Sequence, residues 1–87
     1  MPENIPIELQ ISAVVLAQES SFSAAAERLG TNPATLHTRI GELATLLEWP
    51  LFREKGDHVE VTQEGKVLID AFRAFLAQNR LLPGSSH

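Results

Sequence analysis

Residues 21–47, SFSAAAERLGTNPATLHTRIGELATLL, constrain the chain more than any other stretch. They read as two helices with a tight turn between them. A short helix of small residues over 23–29 takes Ser23 as its N-cap and runs into a turn at Gly30-Thr31. The second helix starts at Asn32-Pro33, because asparagine is a favoured N-cap and proline at the first helical position lacks only an N–H that has no intrahelical partner. Leu36, Ile40, Leu43 and Leu47 then recur at spacings of four, three and four, which lines them along one inward stripe. Two helices so arranged form a helix-turn-helix, a motif whose second helix is shaped to enter a DNA major groove.

The other side of that second helix carries the candidate contacts. Asn32, Pro33, Ala34, Thr35, His37, Thr38 and Arg39 fall near its exposed N-terminal end, with Ser23 at the start of the preceding helix. Short polar and methyl-bearing side chains suit close approach to bases: asparagine pairs with adenine, threonine bonds a base or touches a thymine methyl, and arginine takes guanine or phosphate. A capped, solvated surface helix looks the same, so this segment alone leaves both readings open.

The flanking segments supply a core and a second surface. Over residues 7–18, Leu9, Ile11, Val14, Val15 and Leu16 form a broad apolar stripe with Glu8, Gln10, Ser12 and Gln18 between them, which predicts a first helix packed into the core. Phe22 is a core anchor, and the alanines at 24–26 let two helices approach closely. Pro50 disfavours helix at Trp49, and Leu51 and Phe52 re-enter the core. Residues 51–53 and 58–61 should pair as a hairpin around a polar turn over 53–58, whose tip offers Arg53, Lys55 and His58 to phosphates. Thr62 caps a last helix with Glu64 in its first turn, running to about residue 80. Its apolar surface is too wide for one neighbour. One edge should seal the core while Leu68, Phe72, Phe75 and Leu76 pack on the same helix of a second chain. Pro83-Gly84 should stop it, and the last residues resemble the remnant of an expression linker.

Composition limits what such a chain can do. At 87 residues there is room for one small domain and no catalytic second one. The net charge of −4 is the wrong sign for a free nucleic-acid binder. Between residues 23 and 66 the basic residues Arg28, Arg39, Arg53, Lys55 and Lys66 face seven carboxylates. With no cysteine there is no disulfide framework and no thiolate chemistry. No apolar run reaches bilayer length and the N-terminus does not resemble a signal peptide, so no membrane is expected and the cytoplasm is the expected location. His37, His58 and His87 lack metal-ligand spacing, and no nucleophile, base and acid come together; the expectation is no metal, no cofactor and no enzyme.

SFSAAAERLG, the stretch over residues 40–43, WPLF over 49–52 and VTQEG over 61–65 together resemble the N-terminal DNA-binding domain of LysR-type transcriptional regulators. The resemblance spans residues 9 to about 78. It implies a mainly α fold: a winged helix-turn-helix of three helices and a two-stranded wing, with a long C-terminal linker helix that pairs with its twin in a homodimer. The implied organisation is a DNA-binding domain over 1–61, a linker and dimerisation helix over 62–82 and a tail over 83–87. The implied partner is double-stranded DNA bearing an inverted repeat. The DNA-binding domain of molybdate-responsive regulators shares much of this architecture. Family regulators usually read Ser-Arg-Gln where His37-Thr38-Arg39 stands, and Leu-Phe-Glu-Arg where Leu51-Phe52 is followed by Arg53-Glu54. That displacement moves the wing arginine to the opposite face of its strand.

Two functions therefore stand against each other. The first is sequence-specific DNA binding by a bacterial transcription regulator. The second, prompted by the acidic balance, is a winged-helix protein-interaction module that has lost strong DNA affinity.

Overall fold

A computed structural model describes residues 4–81, in the order α1 (Ile7–Glu19), α2 (Phe22–Leu29), α3 (Pro33–Leu47), β1 (Phe52–Lys55), β2 (His58–Val61) and α4 (Gln63–Gln78). The expected stop at Pro83-Gly84 and the expected tail over 83–87 lie outside the described residues.

α1 is the centre of the fold. It packs against α2, α3, α4 and β2, so nearly its whole circumference is covered. Leu9, Ala13, Val14, Val15 and Leu16 are buried and Ile11 is half-buried. Burying one such leucine stabilises the fold by about 1.5–3 kcal/mol. Gln10 and Ser12, polar residues between the apolar ones, are buried as well. Each finds a local acceptor: Ser12 Oγ donates to the Glu8 carbonyl at 2.8 Å and Gln10 Nε2 to the Ile5 carbonyl at 2.9 Å. Local backbone bonds of this kind offset part of the desolvation cost that a buried hydroxyl or amide otherwise carries.

The helix-turn-helix forms as its caps dictate, with one correction. Ser21, not Ser23, is the N-cap of α2; its Oγ accepts from the Ala24 amide at 3.1 Å. Gly30 ends α2 at φ 72°, and the Thr31 amide closes back on the Ala26 carbonyl at 2.9 Å. α3 ends in the same way. Glu48 takes φ 56° and the Trp49 amide reaches the Ala44 carbonyl at 3.1 Å, so the stop precedes Pro50 and uses a residue with a side chain where glycine is usual. Leu36, Ile40 and Leu43 are buried and Leu47 is half-buried.

The hairpin's first strand runs further, and its turn is shorter, than expected. Phe52 pairs with Val61, Arg53 with Glu60, Glu54 with Val59 and Lys55 with His58, leaving a two-residue loop of Gly56 and Asp57. Arg53 therefore sits in the strand and not at the tip, and Leu51 lies just outside β1 as a buried core residue. Gly56 at φ 64° supplies the positive dihedral that so short a connection needs.

Thr62 caps α4 as expected, its Oγ1 accepting from the Gly65 amide at 2.9 Å, and the helix ends at Gln78 rather than near residue 80. Gly65 fixes which face turns inward. A Cβ there would fall against the Leu51 carbonyl oxygen, so only glycine lets the first turn sit this close. The consequence is a second correction. Phe72 and Leu76 line the chain's own core with Ile69, at 1% and 0% exposure, and are not free for a second chain.

Candidate nucleic-acid interface

The N-terminal half of α3 is open to solvent beside the hairpin. Asn32 caps it through Oδ1, which accepts from the Thr35 amide at 2.8 Å, leaving the Asn32 amide group to other partners. Asn32, Pro33, Ala34, His37 and Thr38 are exposed, and Thr35 and Arg39 are half-buried. With Leu36, Ile40 and Leu43 inward, a period of 3.6 residues puts Ala34, Thr38, Gly41 and Thr45 along the outermost line. That line is small and uncharged. Thr38 Oγ1 donates to the Ala34 carbonyl at 3.1 Å, which leaves its methyl and an oxygen lone pair outward. His37 and Arg39 project to opposite flanks, His37 toward the hairpin.

Strand alternation sorts the hairpin's side chains. Phe52 and Glu54 share the face of Val59 and Val61, turned toward the body of the protein, while Arg53, Lys55, His58 and Glu60 share the outer face. The three expected phosphate contacts are thus brought together. Glu60 lies among them, opposite Arg53 in register and 3.6 Å from Lys55 Nζ. Glu54 reaches α3 instead: its Oε1 is 2.9 Å from His37 Nε2. The His37 ring also lies against Phe22, with centroids 5.2 Å apart.

The turn of the hairpin does not project freely. The Val59 amide donates to the Ser20 carbonyl and the Phe22 amide to the Asp57 carbonyl, at 3.0 and 2.9 Å, so the tip is stitched to the connection between α1 and α2. Asp57 completes the join. Its Oδ2 accepts from Ser21 Oγ at 2.6 Å, and its Oδ1 accepts from the Ser23 amide at 3.0 Å and Ser23 Oγ at 2.8 Å. The Ser21 and Ser23 hydroxyl bonds hold the Asp57 carboxyl below the usual carboxylate range. Ser23, expected to face DNA, thus spends its hydroxyl proton on the wing.

Sequence reasoning names the residues of the helix end and the outer wing face but misses Glu54 and Asp57, the two carboxylates that tie the wing down. A usable signal exists for Asp57 alone, since Gly-Asp between two alternating runs marks the tip. Arg28 is held by α1, with Nη1 2.6 Å from Gln18 Oε1 and 3.0 Å from Glu19 Oε2. Among the described residues no group of three or more histidine, cysteine, aspartate or glutamate side chains is placed to hold a metal ion, and no helix is long and apolar enough to cross a membrane.

The profile described as bacterial regulatory helix-turn-helix protein, lysR family, matches residues 11–66. In shape the chain is similar to the DNA-binding domain of CbnR solved with DNA, at a TM-score of 0.83, with 18% identity and 87% of each chain covered. It is similar to full-length OxyR from Pseudomonas aeruginosa at a TM-score of 0.82 and 26% identity, covering 87% of this chain and 26% of that one. Vibrio fischeri DarR, solved in complex with DNA, gives a TM-score of 0.81 and 26% identity over 88% of this chain and 26% of its own. The chain thus spans most of an isolated DNA-binding domain and about a quarter of the full-length proteins. No curated protein matches in sequence.

Proposed function

The chain belongs to the lysR family of bacterial regulatory helix-turn-helix proteins and forms the DNA-binding domain of such a regulator, and from that premise we propose that it binds double-stranded DNA sequence-specifically, as a homodimer on an inverted repeat. The observation that carries this reading is the exposed, capped start of α3 beside a wing whose Arg53, Lys55 and His58 share one outer face. Ala34, Thr35 and Thr38 offer methyl and hydroxyl contacts to bases, Asn32 and His37 offer polar ones, and Ser23, Pro33 and Arg39 border the same surface. Relatives of the same shape, CbnR and DarR, were solved on DNA.

Dimerisation runs through the outer face of α4. Leu68 and Phe75 are half-buried there, Ala71 lies between them, and Val67 is 71% exposed beside them. This stripe takes the role expected of Phe72 and Leu76. Two protomers joined along it would offer two α3 helices to successive major grooves, about 34 Å apart. The work of such a regulator is done in the cytoplasm.

Binding of the chain to duplex DNA from upstream of its own gene, measured against salt, tests the reading. With Arg39, Arg53 and Lys55 on phosphates in each of two protomers, log K should fall with log salt at a slope of no more than about −5. Absence of any shift at low salt would overturn it. The acidic balance, with Glu54 on His37 and Glu60 near Lys55, favours one rival, a protein-interaction module; co-purification of a protein partner without DNA binding is its outcome.

A further inference from the structure

The contact between the wing and the reading helix fixes more than position. Glu54 Oε1 lies 2.9 Å from His37 Nε2, and an ionised carboxylate can only accept a hydrogen bond. The proton of that bond therefore resides on Nε2. A neutral imidazole has one N–H, so Nδ1 is left as a bare acceptor. The carboxylate at one edge of the ring favours this state, and Phe22 against it at 5.2 Å restrains the ring's orientation. Yet the side chain of His37 keeps 59% of its surface open to solvent.

In the major groove an acceptor has only certain partners. Adenine N6 and cytosine N4 donate, whereas guanine O6 and N7 and thymine O4 only accept. We infer that Glu54 is a specificity-determining positioning residue, which holds His37 in the Nε2-protonated form and so makes it a reader of base amines, adenine or cytosine, at one position of each half-site. This inference rests on the DNA-binding reading above. Glu54 itself touches no base; its charge works against phosphate approach. Its removal thus has two effects of opposite sign, which a residue serving stability alone would not produce.

The test uses the whole chain in two measurements. Two-dimensional nitrogen–proton spectra of the histidine rings at about pH 8, above the ordinary histidine range, report the tautomer without DNA. The expected result is an unprotonated Nδ1 in His37 and a mixture of tautomers in Glu54→Ala; an Nδ1-protonated ring in the unaltered chain overturns the inference. Selection from randomised duplex DNA at the same pH then reads preference. The unaltered chain should favour an amine-bearing base at one half-site position by about fivefold. Glu54→Ala should weaken that preference while binding DNA overall a few-fold more tightly at low salt, and His37→Ala should lose the preference without the gain. The same preference in Glu54→Ala as in the unaltered chain overturns the inference and leaves DNA binding standing. If the unaltered chain selects no DNA at all, the functional reading fails and the inference with it, and an Nε2-protonated His37 is then only a fold contact.

Discussion

α1 and α4 lie against each other and both carry apolar residues on more than one face, but the protein treats them differently. α1 is enclosed by α2, α3, α4 and β2, and even its Gln10 and Ser12 are buried. α4 has its main packing partner in α1, so Ile69, Phe72 and Leu76 are covered while Val67 on the outer side is 71% exposed. An apolar pattern that runs round a helix thus gives no address for its outer side. Neighbours decide whether that side becomes core or surface.

The sharpest test of the contrast removes a side chain from the enclosed helix. Leu16→Ala should cost about 2–5 kcal/mol in urea unfolding, as fully buried leucines do when the site cannot collapse. A loss under about 1 kcal/mol would break the picture of α1 as the enclosed centre. Gly65→Ala should cost about 1–3 kcal/mol, because its methyl meets the Leu51 carbonyl and α4 must lift away from the wing. On the outer side, Val67→Glu should leave the fold's intrinsic stability within about 0.5 kcal/mol and weaken self-association about tenfold or more by sedimentation, which separates the two faces of α4. Ser12→Ala should change stability by no more than about 0.5 kcal/mol, since the lost hydroxyl bond is local and alanine is the better helix former.

A further effect lies outside both helices. The folded Asp57 carboxyl is lowered from 3.8, so its contribution to stability is present above that value and is lost as pH falls through the lower, folded value. Thermal melts should therefore separate the unaltered chain from Asp57→Ala by a few degrees at most near about pH 6, with the gap closing as the pH falls below 3.8. A gap that stays constant would assign the effect to packing instead.

What was legible in the sequence is what short range decides. Asn32-Pro33, Gly30 and Thr62 mark their helix ends because cap and partner lie within three residues or so. Ser21 and Ser23 satisfy the same rule on paper, and the choice falls to Asp57, 36 and 34 residues away, which binds both. The same holds for α4, where the backbone of Leu51 selects the inward face. Of the candidate site, the exposed start of α3 was readable from Asn32 to Arg39. The partners of His37 were not, because strand register puts Glu54 on the protein side of the wing and no local pattern encodes register.

The stitched wing tip bears on the thermodynamics of binding. A hairpin held at its turn by Asp57 and by two backbone bonds to the α1–α2 connection has already surrendered most of its conformational freedom before a duplex arrives. Loops that order on contact forfeit that freedom at the moment of association, whereas a pre-ordered one does not. Calorimetry of DNA association should accordingly find little entropy loss from the wing. Releasing the tip with Asp57→Ala should make the association entropy less favourable even where every base contact survives.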